Sequence, residues 1–144
     1  MPIESVVKPL TGDFTLVSRD PNGMVPETTI LRATDEWAVD VSWNISGAAA
    51  EFVDQSKMWT VTLFLESMGT GFEGPVGKLQ VPAMGGLVQE YGPHTITIAA
   101  NLALAEGNTS RTYKLVGVLT LAQGTTPLPI AGYHEGPILQ FYLP

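Results

Sequence analysis

The residues that could do chemistry are few, and their spacing suits little of it. His94 and His134 are the only histidines available as a general base. Ser5, Ser18, Ser42, Ser46, Ser56, Ser67 and Ser110 all lie outside a G-x-S-x-G elbow, so a Ser-His-Asp hydrolase has no support. A glycosidase needs two carboxylates facing each other across a cleft. Asp35 and Glu36 are neighbours that point apart, and Glu51 with Asp54 reads as a solvated helical face. Neither histidine belongs to an H-x-H or H-E-x-x-H pattern, and the lack of cysteine removes thiolate nucleophiles and zinc–thiolate sites. Asp20, Asn22 and Gly23 echo a calcium loop but lack the later bidentate Glu, so they read as a turn. The sequence therefore nominates no catalytic, metal-binding or cofactor-binding residue.

Binding has more to work with. Tyr91-Gly92-Pro93-His94 and Tyr133-His134-Glu135-Gly136-Pro137 each gather an aromatic, a histidine and a Gly-Pro pair. Read as strand starts, where the missing proline N–H breaks no ladder bond, the Gly-Pro pairs place these residues in loops leading into strands. Tyr91, His94, Tyr133, His134 and Glu135 are accordingly candidate ligand-loop residues for a carbohydrate or other small ligand. Trp37 and Tyr142 are further aromatic platforms near strand ends.

The elements that must position these side chains have a period of two. Trp37, Val39, Val41, Trp43 and Ile45 alternate with small or polar residues, as in a half-buried strand. Trp59 to Leu65, Ile96 to Leu104 and Tyr113 to Leu121 repeat the pattern. Shorter runs lie at Phe14 to Ser18, Thr28 to Ala33, Val76 to Val81 and Ile138 to Leu143. Together they predict about eight strands. Turn signals at Asp20-Pro21-Asn22-Gly23, Gly69-Thr70-Gly71, Met84-Gly85-Gly86, Glu106-Gly107-Asn108 and Gly124-Thr125-Thr126-Pro127 separate them. Only Ala48 to Lys57 favours a helix, and a short one. Residues 1–144 are expected to form one all-β domain, an antiparallel sandwich of immunoglobulin-like or jelly-roll type. Trp43 on a long early strand resembles the core Trp of immunoglobulin-type sandwiches, without the cysteine pair of that family.

Several strands are apolar on both parities. Val116 and Val118 oppose Leu115 and Leu119, Phe64 and Met58 oppose Trp59 and Leu63, and Ile138 and Tyr142 oppose Leu139 and Phe141. A solvated outer face should be polar. Met58, Phe64, Val116, Val118, Ile138 and Tyr142 are therefore the expected partner surface, for a second copy or another protein. The run Lys114 to Ala122 combines high β-propensity with one charge and no proline, and left at an edge it would invite aggregation.

Charge narrows the partners. Seven basic against fourteen acidic residues leave a net charge of −7, too few cations to neutralise a row of phosphates. No run of about 18 apolar residues is present, so no membrane span is expected. Met1 to Ser5 carries no basic, apolar leader pattern, and with the missing cysteines this suggests a cytoplasmic location. The expected function is non-enzymatic: an interaction or assembly module, with ligand binding as the alternative.

Overall fold

A computed structural model describes residues 1–19, 28–69, 73–102 and 111–142. Among these, nine strands form two antiparallel sheets with one 3-10 helix, Ala48–Phe52. The strands are β1 (Ile3–Ser5), β2 (Thr11–Arg19), β3 (Ile30–Arg32), β4 (Trp37–Ser46), β5 (Met58–Ser67), β6 (Gly74–Pro82), β7 (Val88–Ile98), β8 (Thr112–Gln123) and β9 (Thr126–Tyr142). The smaller sheet runs β2-β4-β7; the larger runs β1-β9-β8-β5-β6, and β3 pairs in parallel with the end of β9. The architecture is the all-β sandwich that the alternation predicts.

Period-two patterning becomes packing in β4. Trp37, Val39, Val41, Trp43 and Ile45 are all buried, while Asp40, Ser42, Asn44 and Ser46 face outward. From the larger sheet Trp59, Leu63, Leu65, Tyr113, Leu115, Leu119 and Leu139 complete the core. Trp43 stacks on Tyr91 at 5.1 Å and meets Trp59 edge-on at 6.1 Å. All three tryptophans are thus core residues, and Trp37 is no sugar platform. Glycines let the sheets close at both flanks. A Cβ on Gly117 would stand 2.8 Å from a Leu16 methyl, and one on Gly77 the same distance from Ile96.

Several boundaries differ from the pattern reading. Gly74-Pro75 does open β6, but Gly92-Pro93 lies inside β7 and Gly136-Pro137 inside β9. Each of these two sits at an interruption of register, between Val41 and Trp43 or between Lys114 and Val116. A bulge frees a backbone position from the ladder, which removes the objection to proline there. The run starting at Ile96 belongs to a strand that begins at Val88 and ends at Ile98, and the Ile138 run is the tail of β9. Leu104, Leu143 and the turns proposed at Asp20 to Gly23 and Glu106 to Asn108 lie outside the described residues. The segment Lys114 to Ala122 is not at an edge: β8 pairs with β5 on one side and β9 on the other. Among the described residues no helix is long and apolar enough to cross a membrane.

Candidate functional site

The outer face of the larger sheet can be assembled row by row from the registers. Ala131, Thr120, Thr60 and Gln80 form one row, with Glu4 of β1 beside Ala131. Tyr133, Val118, Thr62 and Lys78 form the next. Glu135, Val116, Phe64 and Pro75 form a third, and Ile138, Lys114 and Glu66 a fourth. Side chains in one row stand close enough to touch across strands. The apolar members Tyr133, Val118, Val116, Phe64 and Ile138 are therefore contiguous over three strands.

Exposure within this face is uneven. Tyr133 is 48% exposed and Ile138 45%, while Val118 and Phe64 are half-buried. Val116 departs from its expected place at the surface. It is only 4% exposed, flanked in its row by Phe64 and Glu135, and forms the floor of the patch. Met58 lies on the same face one row beyond Thr60, and Tyr142 stands at the far end of β9 beside Arg32. The six expected surface residues share one sheet face, but Met58 and Tyr142 are outliers at opposite ends. Beside Tyr133 the surface dips into a hollow of about 290 Å³ bounded by Pro2, Glu4, Val118 and Ala131.

One ion pair lies on this face. Lys114 Nζ donates to the Glu135 carboxylate. That bond, aided by the fields of Glu135 and Glu66, holds the ammonium above its ordinary value. The pair borders the apolar patch without adding a net charge.

The five candidate ligand-loop residues do not converge. All lie within strands rather than loops, because their Gly-Pro pairs sit at bulges. Tyr91 is buried against Trp43 and Trp59. Its hydroxyl donates to Gln89 Oε1 and accepts the Met84 N–H at 3.0 Å. Gln89 Nε2 in turn shares its two N–H groups among the carbonyls of Ala50, Val53 and Gly86 at 2.8, 3.0 and 2.9 Å. This buried node, which the sequence pattern did not signal, fastens the 3-10 helix and the 83–87 loop to the smaller sheet. His94 lies against Trp43.

His134 and Glu135 point to opposite faces, as the strand geometry requires. His134 turns inward beside Phe14, and its Nδ1 accepts the Leu16 N–H at 3.1 Å. Burial, then the Met1 ammonium, hold the imidazole below its ordinary value. That nitrogen is thus an acceptor that closes the free edge of β2. Met1 serves the same edge one step along, its carbonyl accepting the Phe14 N–H at 2.8 Å. Of the five, Tyr133 and Glu135 face solvent at the apolar patch.

Comparison with known protein families, curated proteins and solved structures finds no match in any of the three. The reading therefore rests on this chain's own geometry. The opposite face of the molecule offers a contrast. Asp13, Asn44 and Glu90 align across β2, β4 and β7 beside a shallow hollow of about 200 Å³ lined also by Thr15 and Ser42. Trp43 and Tyr91, both buried, reach this hollow from the core side, and its outward rim is polar. Among the described residues no three His, Cys, Asp or Glu side chains gather closely enough to hold a metal ion.

Proposed function

We propose that this chain is a non-catalytic β-sandwich that works by docking the outer face of its larger sheet onto a protein partner. One observation carries the reading: Tyr133, Val118, Phe64 and Ile138 are contiguous in register on a face that patterning rules would make polar. The smaller sheet's outer face carries Val17 near one end and an exposed Val88 at the other, but threonine, serine, asparagine and charged residues fill the rows between. A photo-crosslinking amino acid placed at Val118 should yield covalent protein adducts in the native host. The same group at Thr97, on the smaller sheet, should yield none. Equal labelling from both positions, or adducts from neither, would overturn the reading.

A further inference from the structure

We propose that the occupant of this face is a second copy of the chain, packed sheet to sheet about a two-fold axis parallel to β8. The proposal rests on the docking reading above and adds the partner and its orientation.

Electrostatics favours a copy of itself. The whole chain carries −7, so two copies repel across most approaches. The outer face of the larger sheet is balanced: Arg32, Lys78 and Lys114 against Glu4, Glu66 and Glu135. The outer face of the smaller sheet sets Asp13, Asp40 and Glu90 against Arg19 alone. The apolar face is thus also the one on which like-charged copies meet without a charge penalty.

Topology then sets the orientation. In the order β1-β9-β8-β5-β6, β8 is the middle strand. A two-fold axis along β8 lays β1 of one copy over β6 of the other, and β9 over β5. Glu4 is the acid on β1 and Lys78 the base on β6, both exposed and neither in an ion pair among the described residues. Their rows are adjacent, an offset of about 6.8 Å along the strands, which two long side chains can span. The symmetry creates two Glu4–Lys78 pairs at the rim and sets Tyr133 of each copy against the Thr62 and Phe64 strand of the other. The twenty outward positions of the five rows, each about 4.8 Å across by 6.8 Å along the strands, give a plane of roughly 650 Å² per copy. Twice that clears the roughly 1,000 Å² that a specific interface needs.

Sedimentation equilibrium of the full chain at about 50 µM and moderate salt should return twice the 15.4 kDa chain mass. Glu4→Lys should raise the dissociation constant roughly tenfold by turning two rim attractions into repulsions. Glu4→Lys with Lys78→Glu should restore it, and Glu90→Lys on the other face should leave it unchanged. A wild-type monomer would remove the second copy, while the Val118 crosslinking result would still decide the docking reading separately. A dimer indifferent to Glu4→Lys, or not rescued by the double exchange, would overturn the proposed orientation.

Discussion

Acidification should loosen the edge of β2, and the structure states by how much. His134 Nδ1 accepts the Leu16 N–H at 3.1 Å. An imidazolium has two donors and no acceptor, so protonation opposes two N–H groups where one bond had been. Leu16 is 5% exposed, and its amide has little water to turn to. The folded value lies below the ordinary 6.5, first through burial and then through the Met1 ammonium. The unfolded chain therefore binds a proton that the folded chain resists. This contribution to stability is whole above the ordinary value and is lost as pH falls from there through the lower folded value. Orphaning a largely buried N–H costs about 1–2 kcal/mol. Urea unfolding at about pH 7.5 and about pH 5 would be compared between wild type and His134→Gln, whose amide oxygen can accept the same N–H at either pH. Wild type should lose about 1–2 kcal/mol more than the variant, carboxylate titrations cancelling in the difference. Identical losses in both proteins would refute the latch.

Three further outcomes follow from single contacts. Gln89→Leu should destabilise by about 2–4 kcal/mol in chemical denaturation, because it removes the amide donor from the Val53 and Gly86 carbonyls and the acceptor of the Tyr91 O–H, while Ala50 keeps only the Val53 N–H. Gly92→Ala should lower the melting temperature by several degrees, since its φ of 88° disfavours a side chain and the new Cβ would stand 2.5 Å from the Val41 carbonyl oxygen. Tyr113→Phe should be neutral or stabilising by up to about 1 kcal/mol, because the buried hydroxyl has no hydrogen-bond partner among the described residues. A clear loss in the urea midpoint would contradict that bonding pattern.

Legibility in the sequence depended on whether the deciding force was local. Alternation from Trp37 to Ile45 and from Trp59 to Leu65 reads directly as β4 and β5, because burial of one parity is a property of the strand itself. The second apolar parity of Phe64 and Val118 was equally visible. The Gly-Pro pairs misled, because a bulge that accommodates proline is set by the neighbouring strand, as Val41 and Trp43 set it for Gly92-Pro93. That error moved Tyr91 and His134 from strands into imagined loops. The start of β9 was hidden by Pro127 and Pro129, and β1 is only three residues long. Gln89 and His134 gave no signal of their roles, since the contacts that tie them to other elements, to Ala50 and Val53 and to Leu16, lie 36 or more residues away. Rim complementarity between Glu4 and Lys78 needs the strand order, which no single segment contains.

The central place of β8 sets a problem of timing during synthesis. Its most aggregation-prone stretch is shielded on one flank by β5, made long before it, and on the other by β9, made after it. The β8–β9 hairpin closes through the tight Gly124–Thr125 turn as soon as it leaves the ribosome. Pairing with β5 joins Ser67 to Tyr113 and must wait for a search across the intervening chain. A nascent chain stalled before Thr126 therefore holds its stickiest strand with one side bare, and that truncated species is where chaperone dependence should concentrate.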